Sequence, residues 1–260
     1  MPKTAKRTPA VKAKRVVIAI PDLYTNFFAK KGEERLDLFR TVAHEYAIKR
    51  AMYAGSYVHV TPSFVIPDMV YVDNDKRAKA FFKVSENYAF VHTRKEYIEP
   101  CNLVFYGLDY TSKIGEPENS FDLLISQYAG LVGRACKPYL ARGGLLLAND
   151  SHGDAGVAAL DRDYELVGVV NQKCAESIDG DDDDTSVSET TDECKSVSHR
   201  TSVSTGVKER KYEILTNNLD EYFVPKSAKV QAQVSTDYLI ALGKGVQYTK
   251  QAHFYLFKKV

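Results

Sequence analysis

The sequence has no tryptophan, three methionines and four cysteines in 260 residues. The cysteines are Cys101, Cys136, Cys174 and Cys194, and no two form a Cys-x-x-Cys pair. That argues against a zinc site, and no metal is expected. No apolar run approaches the roughly 20 residues needed to span a bilayer, so no membrane association is expected. No apolar segment follows the basic N-terminus, which argues against a secretory leader and for a cytoplasmic protein with reduced thiols. Neither sign of charge prevails. Lys and Arg number 35 against 34 Asp and Glu, a formal net charge of +1 that gives no global pull on nucleic acid.

Apolar residues make up 44% of the chain and charged residues 27%. That excludes wholesale disorder and a collagen-like fibre, and the length allows one large domain or two small ones. The balanced charge hides two opposite segments. Residues 1–15 carry Lys3, Lys6, Arg7, Lys12, Lys14 and Arg15 and read as a mobile basic arm: first a solubilising tail, second a nucleic-acid contact. Residues 176–206 hold the run Asp181–Asp184 followed by Ser, Thr and Val, with no aromatic residue and no helical period. This composition predicts a disordered insertion, and it lacks the alternating ligands of a calcium loop.

Between these segments, short apolar runs alternate with helical spacing. Val16–Ile20 is a short apolar run that Pro21 ends, and strands are expected at Ala51–Ala54, Met69–Val72, Leu103–Leu108, Phe121–Ile125, Leu145–Ala148, Tyr164–Val170 and His253–Lys259. Helices are expected over Glu34–Arg50, from an Asp75 cap through Phe82, over Leu131–Leu140 up to a stop at Gly143-Gly144, and over Ser235–Leu242 before Gly243. Short strands without alternation are buried on both faces. Residues 16–260 are therefore expected to form a single α/β domain: an open, mostly parallel sheet with helices on both faces and an antiparallel C-terminal strand.

In such a sheet the ligand lies beyond the carboxyl ends of the strands. The residues there are Gly55-Ser56-Tyr57, Asp73 and Asp75, Asp109 and Tyr110, Ser126-Gln127-Tyr128, and Asn149-Asp-Ser-His-Gly-Asp154. Phe121-Asp-Leu-Leu-Ile-Ser-Gln127, a helix, then Tyr139-Leu-Ala-Arg-Gly-Gly-Leu-Leu-Leu147 resembles the fourth strand, helix and fifth strand of class I S-adenosylmethionine-dependent methyltransferases. Val70-Tyr-Val-Asp73 and Tyr106-Gly-Leu-Asp109 resemble the acidic ends of that family's second and third strands. His253-Phe-Tyr-Leu-Phe-Lys258 is similar to its final antiparallel strand. The resemblance covers about 50–175 and the C-terminal strand, and implies a Rossmann-like fold with S-adenosylmethionine as cofactor.

The resemblance also implies roles. Gly55 would let the backbone approach the methionine part of the cofactor, with Ser56 counted beside it. Asp73 would accept from both ribose hydroxyls and Asp109 from the adenine amino group, while Tyr110 would flank the ring. Ser126 and Gln127 would border the transferable methyl group, and Gln127 and Tyr128 would orient a small-molecule acceptor. His152 is the candidate base, with Asp154 as its orienting partner. Each residue has a structural alternative: Asp73 as a helix cap, Asp109 as a loop residue, the His152 cluster as a polar turn, and His59 as a packed histidine. The family's first loop has several glycines, whereas Gly55 stands alone here, with Tyr57 and Val58 where glycines are expected. That departure supports an alternative: a non-catalytic binding or scaffolding protein of the same fold. A nicotinamide-dependent oxidoreductase is a weaker reading, because Gly-x-Gly-x-x-Gly is absent. Absent too are the phosphate-loop, nucleophile-elbow and Asn/Asp-Pro-Pro-Tyr patterns.

Overall fold

A computed structural model describes residues 19–173 and 212–260. The basic arm at 1–15, the acidic segment at 176–206 and most of the Val16–Ile20 run lie outside them. Ala19 and Ile20 belong to no strand, and Ile20 is half exposed. The first elements are α1 (Asp22–Tyr24), continued by a π-helical turn over Thr25–Ala29, and α2 (Leu36–Glu45). α2 buries Leu38, Phe39, Val42 and Ala43; of the residues at helical spacing, Leu36, Phe39, Ala43 and Tyr46, the two in the middle are buried and the outer two only partly. It stops short of Arg50 because Ala47 turns into the left-handed region (φ 50°) and the Asp122 carboxylate takes the Lys49 and Arg50 amides into the sheet.

From there β1 (Arg50–Ala54) and β2 (Asp68–Val72) lead to α3 (Lys76–Phe81), capped by Asp75 through the Arg77 and Ala78 amides. Next come α4 (Ser85–Arg94), β3 (Asn102–Tyr106) and β4 (Phe121–Ser126). The helix expected over Leu131–Leu140 is only α5 (Val132–Ala135) and a 3-10 turn through Pro138. Gly143-Gly144 does not stop it; both glycines lie inside β5 (Leu140–Ala148). There the pairing jumps from Phe121↔Leu140 to Leu123↔Leu145, a bulge with Gly143 at φ 80°. A Cβ on Gly144 would lie 2.9 Å from the Phe121 carbonyl oxygen. The chain continues through α6 (Asp154–Leu160), β6 (Tyr164–Gln172) and β7 (Tyr212–Leu215). It finishes with α7 (Ala228–Gln233), α8 (Thr236–Leu242) and β8 (Phe254–Lys259). α4, α7 and β7 carry no signal strong enough to be read from sequence.

All eight strands form one sheet in the order β3-β2-β1-β4-β5-β8-β6-β7. β1 to β5 pair in parallel, and β8 runs antiparallel between β5 and β6. Alternate residues feed opposite layers: Tyr53, Met69 and Leu123 pack with Phe39 and Phe90, while Met52, Val70 and Leu124 pack with Val132 and Tyr255. Burying both faces removes the polar alternation and leaves the short apolar runs seen in the sequence. Each such side chain contributes about 1.5–3 kcal/mol when buried. The strand order reverses between β1 and β4, which sets the ligand crevice above these two strands.

Candidate functional site

Two clefts open at the carboxyl ends of the strands. The smaller, about 240 Å³, is lined by Gly55, Asp73, Asp109, Tyr110, Tyr128 and Ala129 among others. The larger, about 510 Å³, lies over the ends of β5 and β8, with Tyr128, Asn149, Asp150, Ser151, Lys244 and His253 in its wall. Tyr128 belongs to both. Thus Gly55, Asp73, Asp109, Tyr110 and Tyr128 meet as expected, whereas Ser56, Ser126, Gln127 and His152 line neither cleft.

Asp73 ends β2 and reaches across to the loop after β1. Its Oδ2 accepts from the Tyr57 amide at 2.6 Å and its Oδ1 from the Asp75 amide at 2.8 Å. A carboxylate has about four acceptor sites, so two remain for a ligand. Asp109 is exposed and accepts from the Thr111 amide and hydroxyl and from Asn74. The Thr111 bonds hold its pKa below the ordinary carboxylate value. The Tyr110 hydroxyl donates to the Ala129 carbonyl at 2.8 Å, tying the loop after β3 to the loop after β4.

Polar groups packed beneath these clefts hold the strand ends. Ser126 turns its hydroxyl inward to Asp154 at 2.5 Å, and Asp154 also accepts from the Gly133 amide. Burial raises the Asp154 pKa to about 6. Asp154 therefore braces β4 against α5 and does not orient His152. The His152 ring is exposed, and its Nδ1 pairs with the Ser151 hydroxyl at 3.0 Å. Asp150 sits at the wall of the larger cleft with its pKa also raised to about 6 by burial; its Oδ1 accepts from the Gly156 amide. His59 is fully buried, with Nδ1 on the Tyr53 hydroxyl and Nε2 on the Glu34 carbonyl. Desolvation lowers its pKa to about 3, so it is a neutral packing residue.

Arg35 escaped the sequence reading. Its side chain is 9% exposed, and its Nη1 donates to Gln127 Oε1 at 3.1 Å across 92 residues. Its guanidinium lies over the Tyr128 ring. Nothing in the surrounding Lys30–Arg35 run marks it, because its burial depends on β4. Gln127 and Asn149 are both buried with their oxygens engaged, yet Gln127 Nε2 and Asn149 Nδ2 have no partner among the described residues. Tyr128 between them takes φ 59°, a left-handed conformation costing about 1–2 kcal/mol for a residue with a Cβ.

The fit to S-adenosylmethionine divides in two. The nucleoside half has acceptors at the ends of β2 and β3 and an aromatic ring beside them. The methionine half meets Ala129: a Cβ on Gly55 would lie 2.1 Å from the Ala129 Cβ. The absent side chain at position 55 is filled by protein, so the loops after β1 and β4 touch.

No family model matches the chain, and no curated protein matches it in sequence. Solved structures are similar over part of the chain. A methyltransferase from Geobacter sulfurreducens shares 14% identity over 59% of this chain and 86% of that one, with a TM-score of 0.39. An S-adenosylmethionine-dependent methyltransferase from Methanosarcina mazei shares 11% over 42% of this chain and 57% of that one, with a TM-score of 0.33. The [4+2]-cyclase SpnF shares 16% over 48% of this chain and 45% of that one, also at 0.33. The chain thus spans less than two thirds of the latter two, and likenesses at this level carry no argument about chemistry. The order of the sheet, with the last strand antiparallel between β5 and β6, gives this chain the fold of the class I S-adenosylmethionine-dependent methyltransferases.

Proposed function

We infer that the chain binds S-adenosylmethionine in the smaller cleft and directs methyl transfer to a small-molecule acceptor in the larger one. The observation that carries this reading is Tyr128, which lines both clefts at the switch point of the sheet. A nucleoside held below it and an acceptor held beside it would face each other across one side chain. The bound cofactor would supply a methyl carbon already activated by its sulfonium, so the protein's task is positioning. Asp73 accepts the ribose hydroxyls on its two remaining sites, Asp109 takes the adenine amino group, and Tyr110 flanks the ring. Gly55, Ser56 and Ser126 shape the loops around the cofactor, Tyr128 orients the acceptor, and Gln127, buried outside both clefts, acts on it only through Arg35 and Tyr128. His152, next to the cleft-lining Ser151, takes a proton where the acceptor carries one.

Calorimetry with S-adenosylhomocysteine tests this. Micromolar binding is expected; a folded protein that binds none at millimolar ligand overturns it. The Gly55–Ala129 contact favours one second reading, a non-catalytic module that keeps the fold and the nucleoside half alone. That module binds adenosine but not S-adenosylhomocysteine. Binding of NADH instead points to an oxidoreductase.

A further inference from the structure

Four unusual features crowd into residues 127–130 and their neighbours. Tyr128 holds a left-handed backbone, Gln127 Nε2 and Asn149 Nδ2 are buried without partners among the described residues, and Ala129 fills the space beside Gly55. The fourth is the Tyr110 hydroxyl, which holds the Ala129 carbonyl and also occupies the space beside Gly130, 2.6 Å from where a Cβ would stand. Gly130, beside the point where the latch is fastened, is at φ 96°, a conformation glycine adopts freely. Buried unsatisfied donors and strained residues are rare away from functional sites. Among the described residues both also occur elsewhere, at Tyr57 for example, but here they adjoin the loop that separates the nucleoside acceptors from the ends of β4 and β5.

We propose that the Tyr110–Ala129 hydrogen bond is a latch that makes the closed cleft selective for adenine nucleosides without a methionine arm. The arm enters only when residues 127–130 swing away from Gly55. This rests on the methyl-transfer reading and adds the control of that same site. In the closed state Asp73, Asp109 and the Tyr110 ring are already in place, and about 240 Å³ is open to a ligand, below the roughly 300–1,000 Å³ typical of pockets for drug-sized ligands. Moving the loop parts Ala129 from Gly55, relieves Tyr128 and frees the Gln127 and Asn149 amides to meet acceptor oxygens. Ligand affinity through an open state falls in proportion to how seldom that state is populated.

The test is calorimetry of adenosine and S-adenosylhomocysteine on the full chain, its Tyr110→Phe variant and its Ala129→Gly variant. Tyr110→Phe keeps the ring and removes the latch, while Ala129→Gly removes the methyl group against Gly55. Adenosine is expected to bind the wild type more tightly than S-adenosylhomocysteine does. Losing one hydrogen bond of ordinary strength is expected to move the ratio of the two affinities about fivefold toward S-adenosylhomocysteine in Tyr110→Phe. Ala129→Gly is expected to move it the same way, which guards against a single variant that fails to fold. The same ratio in all three proteins, with S-adenosylhomocysteine bound, overturns the latch and leaves the methyl-transfer reading standing. Adenosine bound and S-adenosylhomocysteine excluded even from the variants overturns both. So does a wild type that binds neither.

Discussion

Replacing Asp154 by Asn will expose what the buried carboxylate under the site costs in stability. Asp154 is 2% exposed, and burial is the main cause that raises its pKa from 3.8 to about 6. The native state therefore holds this proton more tightly than the unfolded chain does. Between about pH 4 and pH 6 the wild type must lose stability from this group as pH rises, and above that the loss is complete. At about 1.36 kcal/mol for each pH unit, the loss is about 3 kcal/mol. His59 works the other way: its pKa is lowered to about 3, so its contribution is present above about pH 6.5 and is lost as pH falls toward 3. Asp150, raised to about 6 chiefly by burial and further by the Asp154 charge, slopes the same way as Asp154. The three slopes overlap, so the wild-type profile alone isolates none of them. The side-chain amide of the Asp154→Asn variant does not titrate, and it keeps one acceptor for Ser126 or Gly133. The stability difference between wild type and variant should thus favour the wild type by about 3 kcal/mol more at about pH 4 than at about pH 7. Urea unfolding would read this as a relative midpoint shift of roughly 1–3 M, for a slope of about 1–3 kcal/mol/M. Parallel profiles for the two proteins would show that Asp154 titrates at its ordinary value and that the bracing argument is wrong.

Asp73→Asn should weaken S-adenosylhomocysteine binding at least about tenfold, because charge-assisted bonds to ribose contribute about 1.5–3 kcal/mol each; a larger loss from Asp75→Asn would show that the role belongs to Asp75 instead. Gly55→Ala should lower stability by about 2–4 kcal/mol, from overlap with Ala129 and a left-handed backbone at φ 66°. Ala129→Gly in the same chain should restore about half of that loss in thermal unfolding, and purely additive effects would refute the contact. Once an acceptor is found by screening for homocysteine release, His152→Ala should lower turnover by about 10²–10⁴. A variant keeping half of wild-type turnover removes His152 and points to Asp150, a residue in the wall of the larger cleft.

The parts of this molecule that could be read from sequence are those fixed by local pattern. Met69–Val72 and Leu145–Ala148 are apolar because sheet strands covered on both faces have no solvent side. Asp75 caps α3 and Gly243 ends α8 because helix termini need an acceptor and a left-handed residue there. Asp73, Asp109 and Tyr110 could be placed because strand ends in a parallel sheet share one edge. What escaped depends on contacts far apart in sequence. Gly143-Gly144 looks like a helix stop until β4 is set beside it, and then it is a bulge. Arg35 looks like one more charge in a polar run until Gln127 and Tyr128 bury it. Asp154 looks like a partner for a histidine two residues away, yet α6 begins at Asp154 and turns its carboxylate down to Ser126.

The same distinction explains why the two halves of the site differ. The proposed nucleoside half rests on β2 and β3, whose register is set by paired backbone; Asp73 directly follows β2, and Asp109 lies three residues beyond β3, in a turn held by Thr111. The methionine half is built on two loops that have no ladder of their own. Their spacing is set by one methyl group against one missing Cβ, and by one tyrosine hydroxyl. A family-like pattern in sequence therefore speaks for the first half more strongly than for the second. The lone glycine of the first loop is better explained by Ala129 than by a ligand, since the space a second atom would need at position 55 is already filled. A protein can keep the strand-end acceptors with no change in the sheet and still differ in what it admits, because admission is decided by contacts that cost only a few kcal/mol to rearrange. On the proposed reading, the loop of residues 127–130, rather than the acidic strand ends, decides which ligand the cleft admits.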